Sequence, residues 1–401
     1  MIKRQLYIDE LNKYRDLQLV KILSGIRRCG KSTILEMLAE QLIKSGIPKD
    51  HIIKTNYSDP DTNINMTYKD MFDDIKGKIK DSDKHYLLLD EIQEIDGWER
   101  AVNALLENSS TDIYITGSNS KLLSGEISTY LSGRYISVPV YTLSFSEFRK
   151  FTPSNNTEIS EQFDDYIRTG GFPLVARSGL EASSKYQIVE GIFNSVVSND
   201  ITRRNKIGNI ELFNRVVRFI LENVGKTFSA NSIAKFLKSE GRNLSVETIY
   251  NYIEWLEKAF IIYRCNRYDM RGKSILKTQE KFYLADHSLK YSIMGFNPSS
   301  VASTLENIVY LELKRHGYKV YVGKNGAKEI DFVAEKGEKK IYIQVCRNLP
   351  EESDRELGNL KEITDNHRKY IITLDKYSVG YVDGIEIVYL TEFLLESDKY
   401  L

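Results

Sequence analysis

From residue 1 to about 150 the chain repeats one phrase: a short apolar run, a polar turn, then an amphipathic stretch. The apolar runs fall at 19–24, 51–56, 86–89, 113–116 and 135–143. Short runs rich in β-branched and aliphatic residues, separated by helical periodicity, predict buried parallel strands covered by helices. Within 31–46, for example, Ile34, Leu35, Leu38, Leu42 and Ile43 share one helical face, and Gly46 with Pro48 ends it. The expectation is an α/β nucleotide-binding domain over 1–150.

The pattern then changes. Residues 152–160 are polar and read as a surface loop, and apolar residues at helical spacing dominate until about 263. A helical lid or linker is expected over 151–207. Ile249, Ile253 and Leu256 form a buried stripe at i, i+4, i+7, with Ser245 as N-cap, and a shorter helix is expected over 230–238. Two helices joined by a turn at 241–244, then alternating runs at 260–268 and 281–285, predict a winged-helix-like domain over 208–296. A Pro/Ser stretch at 297–300 opens a last segment, 297–401. It reads as a helix (304–316), three alternating runs (318–323, 329–335, 340–347), a polar helical stretch (353–366) and a strand (369–374).

Composition narrows the options. At 401 residues the chain accommodates two to four folding units. With 56 basic and 56 acidic residues it has no polycationic character, so any nucleic-acid surface must be local. The N-terminus lacks the apolar core of a signal peptide, and no stretch approaches the ~20 apolar residues of a membrane span. Cys29, Cys265 and Cys346 are far apart and form no CxxC pair, which predicts neither a disulfide framework nor a zinc site. A cytoplasmic protein without membrane partners is the expectation.

Gly25-Ile26-Arg27-Arg28-Cys29-Gly30-Lys31-Ser32 spells G-x-x-x-x-G-K-[ST] between a predicted strand and a predicted helix. The glycines let backbone N–H groups wrap a phosphate chain at a helix N-terminus. Lys31 is the candidate for the β- and γ-phosphates of ATP and Ser32 for Mg²⁺, and Thr33 completes the binding set. In 85–91 an apolar strand ends in Asp90-Glu91, placing Asp90 as a metal ligand and Glu91 as the group that polarises water. Ser118 and Asn119, after the strand near 112–116, are candidates for sensing the γ-phosphate, and turn chemistry explains them equally well. Arg134 reads either as an arginine finger, in cis or from a neighbouring subunit, or as a surface salt bridge.

The runs GIRRCGKST, LLLDEIQEIDGWE, ITGSNSKLLSGEISTYLSGRY and LSFSEF resemble a large prokaryotic family of AAA-type ATPases with a C-terminal domain of largely unknown function. Further similarity lies at 170–173 (GGFP), 199–207 (NDITRRNKI) and 329–345, so it spans nearly the whole chain. The resemblance implies an ASCE-type core with the sensor strand between the P-loop and Asp90 strands. It also implies a winged-helix module and a C-terminal fold similar to restriction endonucleases. Thr142 stands where a typical member has proline.

A nuclease of the latter kind needs a helix acid, a strand Asp, and E-x-K on the next strand. Here those places hold Glu306, Asp331, and Gln344-Val345-Cys346, so the lysine is missing and nuclease activity is not expected. Lys340 lies on a nearby strand as a substitute. For DNA, the helix over 245–259 carries Glu247, Glu254 and Glu257 against Lys258, which suits a phosphate-lined groove poorly. The hairpin 264–281 is more basic, with Arg264, Arg267, Arg271, Lys273, Lys277 and Lys281 against Asp269 and Glu280. Asp200, Arg203 and Arg204 read as helix braces or as couplers of nucleotide state. A solvated hairpin packed between domains explains the charges of 264–281 as well as a nucleic-acid surface does, so the function read from the sequence is an ATP-driven conformational switch with DNA as one candidate target. The alternatives are a STAND-like switch acting on a protein partner and, third, an ATP-gated nuclease.

Overall fold

The computed structural model describes residues 2–63, 65–107, 110–119, 130–153, 157–205, 207–272, 274–349 and 354–401. The chain divides into two compact units, Met1–Tyr141 with Lys258–Phe260, and Thr142–Glu257 with Ile261–Leu401.

The first unit is built on β1 (Val20–Ser24), β2 (Ile52–Asn56), β3 (His85–Asp90), β4 (Thr111–Gly117) and β5 (Tyr135–Pro139). Their order is β2-β3-β4-β1-β5, and every pairing is parallel. β1, β3 and β4 are buried along nearly their whole length, which is why they read as unbroken apolar runs. β5 is shorter than its apolar run because Pro139 ends it at the sheet edge. Val20, Ile22, Leu87, Leu89, Ile113 and Ile115 form one core with Met71 and Ile75 of helix Tyr68–Lys78 and Val102 and Leu105 of helix Trp98–Leu106. In helix Lys31–Lys44, Ile34, Leu38 and Leu42 are fully buried. The buried ammonium of Lys21 on β1 bonds to Asp112 on β4, and burial holds its pKa below the ordinary lysine range.

In the second unit, helices Ile210–Glu222, Ala230–Ser239 and Val246–Lys258 precede a hairpin of β6 (Ile262–Asp269) and β7 (Ser274–Leu284). A single bridge pairs Phe228 with Glu280 on β7. The remaining strands are β8 (Lys319–Asn325), β9 (Lys328–Lys336), β10 (Lys339–Cys346), β11 (Arg368–Thr373), β12 (Gly380–Val382) and β13 (Ile385–Tyr389). They join the hairpin in one mixed sheet ordered β12-β13-β11-β10-β9-β8-β6-β7. The link is a parallel pairing of β6 with β8, Arg267 opposite Val322. A boundary at 297 therefore runs through a sheet shared by the hairpin and the C-terminal strands. The expected helix at 353–366 covers Asp354–Lys361, and residue 353 lies outside the described residues. Among the described residues no helix is long and apolar enough to cross a membrane.

Candidate functional site

The P-loop leaves β1 at Ser24 and enters the helix at Lys31. Val140 N–H donates to the Ser24 carbonyl at 2.7 Å, which brings the backbone against Gly25. A Cβ there would stand 2.1 Å from the Val140 oxygen, so only glycine fits. Gly30, at φ 105°, makes the left-handed turn that aims the first helical N–H groups into the loop. Ile26 and Cys29 point inward, and burial pushes the Cys29 thiol up, so it serves as packing rather than as a nucleophile. Arg27 is half-buried, and Arg28 and Thr33 are exposed.

Lys31 is buried, and its ammonium donates to the carbonyls of Gly25 (2.9 Å) and Ile26 (3.2 Å). Ser32 Oγ donates to Asp90 Oδ1 at 3.1 Å, joining the helix start to the tip of β3. Thr116 on β4 donates to the same oxygen at 2.5 Å. Burial raises the Asp90 pKa, and the hydroxyls of Thr116 and Ser32 oppose that by favouring the carboxylate. Next to it Glu91 turns sharply at φ 51°, with its N–H donating to Thr116 Oγ1 at 3.0 Å. Its Oε2 accepts from Gln93 Nε2 (2.5 Å) and Ser118 Oγ (3.3 Å). Asn119 is buried at the end of the same strand.

β4 lies between β1 and β3, so Lys31, Ser32, Asp90, Glu91, Ser118 and Asn119 all sit at the carboxyl edge of one parallel sheet. Ligands of open α/β sheets bind at that edge. A hydroxyl and a carboxylate make an oxygen-only donor pair suited to a hard cation such as Mg²⁺, and the glycine cradle fits a phosphate chain.

Arg134 requires a correction. Its carbonyl accepts from Val20 N–H, at the first residue of β1, so it lies at the amino edge of the sheet. Five strand residues at about 3.3 Å each put it roughly 16 Å from the P-loop. It cannot act as a finger on its own nucleotide. Its guanidinium instead binds Asn103 (2.9 Å) and Glu107 (2.7 Å).

Three contributors were not legible beforehand. Thr116 looked like one more strand residue. Gln93 sat unremarked behind Asp90-Glu91. Arg4 is buried and bridges the carbonyls of Cys29 and Tyr141, both at 2.9 Å, bracing the P-loop from behind. An Arg near a polar N-terminus carries no signal of such a role.

In the second unit the C-terminal candidates do converge, with an unforeseen member. Lys281 of β7 is buried, with Glu329 at 2.9 Å, Glu306 at 3.3 Å and Asp331 at 3.7 Å. Asp331 also accepts from Val345 N–H, and Gln344 accepts from Asp331 N–H and donates to Glu356. These groups line a cavity of about 890 Å³. Burial raises the Glu306 carboxyl well above the ordinary carboxylate range and Asp331 less far, while burial of the Cys346 thiol lifts it to about 11. Lys340 pairs with Glu335 at 2.9 Å and takes no part.

Part of the hairpin's basic charge is spent on acids. Arg264 is clamped by Glu257 (2.7 Å) and Glu280 (2.9 Å), Lys281 lies in the carboxylate cluster, and exposed Arg271 bonds to Asn325 at 3.1 Å. Lys273 lies outside the described residues. Asp200 is buried in a π-helical stretch, Val197–Thr202, after helix Ala182–Val196. Elsewhere, His51, Asp81 and His85 come close enough to share a metal ion. The two imidazoles are stacked at 4.5 Å and 18°, however, so their in-plane lone pairs do not converge.

An all-parallel sheet with this loop after β1 and acids at the tip of β3, across β4 from it, defines a P-loop NTPase. Residues 17–149 match the family model of an AAA domain, while 160–300 and 302–393 match two families described as domains of unknown function. The chain is 39% identical to an uncharacterized protein of Haemophilus influenzae over 99% of both chains. It is 32% identical to protein MJ1544 of Methanocaldococcus jannaschii, covering 83% of this chain and 75% of that one. The chain therefore belongs to the family of these two proteins, whose N-terminal part here is an AAA-type P-loop ATPase domain. A Walker-type ATPase of Pyrococcus abyssi shares the fold, with a TM-score of 0.54 at 15% identity over 73% of this chain and 96% of its own.

Proposed function

We propose that this protein is a Mg²⁺-dependent ATPase that uses hydrolysis to switch conformation. The observation that supports this best is the chain Ser32–Asp90–Thr116 with Glu91 beside it, because it puts metal ligands and a base at one sheet edge. Lys31 exchanges its two carbonyl partners for phosphate oxygens, and the N–H groups of 25–32 hold the chain of phosphates. Ser32 and Asp90 would hold Mg²⁺, and a bound ion would supply positive charge to the phosphates. Glu91 accepts a proton from the water that attacks the γ-phosphorus, and ADP leaves with the bridging oxygen. Thr116 fixes both acids by binding one carboxylate and the other's N–H.

The winged-helix reading of 208–296 is supported by three helices, the Phe228–Glu280 bridge and the β6–β7 hairpin. The nuclease-like reading of 297–401 is supported by helix Val301–Arg315 followed by β8, β9 and β10 and then the parallel β11. We read that part as catalytically silent, since Cys346 stands where the strand lysine would and the buried Lys281 ammonium already serves Glu306, Glu329 and Asp331 as counter-ion. Of the possible targets, a protein partner is favoured over DNA. Two of the bases that would track a nucleic-acid backbone, Arg264 and Lys281, are spent on Glu257, Glu280 and the Glu306 cluster.

The test is ATP turnover of wild type and Glu91→Gln, each with and without single- and double-stranded DNA. Glu91→Gln is expected to lose about 100-fold in kcat while still binding ATP, and DNA is expected to leave the wild-type rate unchanged. A several-fold rise with DNA would reinstate the nucleic-acid target. Equal rates in wild type and Glu91→Gln would remove Glu91 as the base.

A further inference from the structure

A glycine makes the peptide before it easy to turn over, and Gly30 is such a glycine inside the phosphate loop. It sits at φ 105°, and with no Cβ it enters either sign of φ at little cost. The peptide between Cys29 and Gly30 is trans, so its carbonyl and its N–H point in opposite directions. One orientation offers the Gly30 N–H to a phosphate. The other presents the Cys29 oxygen, which repels one.

The first orientation is held through Arg4. This residue is 2% exposed, and its Nη1 donates to the Cys29 oxygen at 2.9 Å. Its Nη2 donates to the Tyr141 oxygen, also at 2.9 Å, next in the chain to the Val140 carbonyl that packs against Gly25. The Cys29 oxygen therefore faces the side of the loop where 140–141 lie, and the Gly30 N–H faces away from it. The guanidinium is itself anchored. Tyr7 of helix Gln5–Lys13 accepts from Arg4 at 3.4 Å and from the Tyr141 N–H at 3.1 Å. The Arg4 N–H donates to Met37 Sδ, at 3.5 Å, in the helix that follows the loop. The Gly25 and Ile26 carbonyls are held by Lys31, which leaves them for a phosphate. Arg4 is sealed behind the loop, so no phosphate reaches it and its bond to Cys29 persists when nucleotide binds.

We propose that Arg4 is a positioning residue for phosphate binding: it locks the Cys29–Gly30 peptide with the carbonyl turned back, so that the Gly30 N–H stands ready as a donor to the phosphate chain. This rests on the ATPase reading given above. Arg4 touches neither nucleotide nor metal. It sets the fraction of loops that present the donor, and apparent affinity scales with that fraction. Loop N–H groups cradle the inner phosphates, whereas the lysine reaches outward to the γ-phosphate. The donor therefore serves the part that ATP and ADP share, and both should lose affinity equally while the chemical step is spared.

The experiment measures binding of ADP and of a non-hydrolysable ATP analogue, each with Mg²⁺, to wild type, Arg4→Met, Arg4→Lys and Tyr7→Phe. Steady-state hydrolysis and thermal unfolding of the same proteins run in parallel. Arg4→Met is expected to weaken both nucleotides about tenfold and to raise KM alike, while kcat at saturation changes less than about threefold. Arg4→Lys has a shorter ammonium without the planar fork that spans two carbonyls, so it should fall between wild type and Arg4→Met. Tyr7→Phe removes a hydroxyl from the same buried cluster yet keeps the bond from Arg4 to Cys29. It should lower the unfolding midpoint and leave both affinities within about twofold of wild type. Unchanged affinities in Arg4→Met, or a loss confined to kcat, overturn the inference. An affinity loss in Tyr7→Phe as large as that in Arg4→Met also overturns it, because general loosening would then be the cause. If Arg4→Met does not fold, Arg4→Lys decides alone: affinities within about twofold of wild type overturn the lock. Wild type that binds neither nucleotide would instead sink the ATPase reading, and this inference with it.

Discussion

Lys31 and Lys281 are both buried lysines, one in each unit, and their surroundings make them opposites. The Lys31 ammonium is held by two neutral backbone carbonyls. Lys281 is held by three carboxylates, Glu329, Glu306 and Asp331. A carbonyl is a weak competitor for an ammonium, so a phosphate can displace it at small cost. A carboxylate cluster in a low-dielectric site is not displaced, because freeing the lysine strands several buried negative charges. Burial alone would lower the Lys281 pKa, yet the three acids together hold it above the ordinary lysine range. The same residue type is thus a replaceable placeholder in one unit and a fixed counter-ion in the other.

The sharpest way to break this contrast is Lys281→Met. Removing the counter-ion leaves the Glu306, Glu329 and Asp331 cluster without its cation and should destabilise the second unit by about 3–5 kcal/mol. Adding Asp331→Asn should recover part of the loss, because one of the stranded charges is then gone. Thermal or urea unfolding of the three proteins checks this, and an unfolding midpoint unchanged in Lys281→Met would show that the cluster is already neutral. Next in size is Lys31→Met, where the expected damage is to function. Its carbonyl partners lose a hydrogen bond each, which costs about 1–2 kcal/mol of stability, whereas ATP hydrolysis should fall about 100-fold or more. Stability loss in Lys31→Met equal to that in Lys281→Met would show that the P-loop lysine is structural and not held in reserve.

What could be read in advance divides along the same line. The P-loop, Asp90 and Glu91 were legible because phosphate chemistry demands contiguous residues after a strand, and contiguity survives in a sequence. Thr116, Gln93 and Arg4 were not, since each acts through a single hydrogen bond whose partner is remote or whose geometry depends on a turn. The run GGFP at 170–173 was visible only as a similarity. Its cause is packing: a Cβ on Gly170 would lie 1.9 Å from Asp286 Oδ1, and one on Gly171 would lie 2.4 Å from the Leu143 oxygen. Lys281 was counted as one of six bases on a hairpin, and nothing in its own run points to the acids of β9 and helix Val301–Arg315 that surround it. That β6 pairs with β8 is a long-range fact, and it is this pairing that incorporates the hairpin into the C-terminal sheet. The alternating pattern of β6 fixes which residues face inward but not which strand lies beside them.

The smallest expected effect is at Arg134, and it tests whether the contrast extends to a third cation. Arg134 has a neutral partner, Asn103, and an acidic one, Glu107, and its side chain is about one-third exposed at 32%. A partly exposed pair of this kind contributes under about 1 kcal/mol, so Arg134→Ala should move the unfolding midpoint little. Its position at the amino edge of the sheet predicts an unchanged kcat at protein concentrations where the chain is monomeric. Measuring the rate against protein concentration separates the two finger readings that the sequence left open. A loss of activity in Arg134→Ala that appears only as concentration rises would mean that the guanidinium serves a neighbouring copy. A loss independent of concentration would require Arg134 to reach its own P-loop, which the parallel register of β1 and β5 forbids.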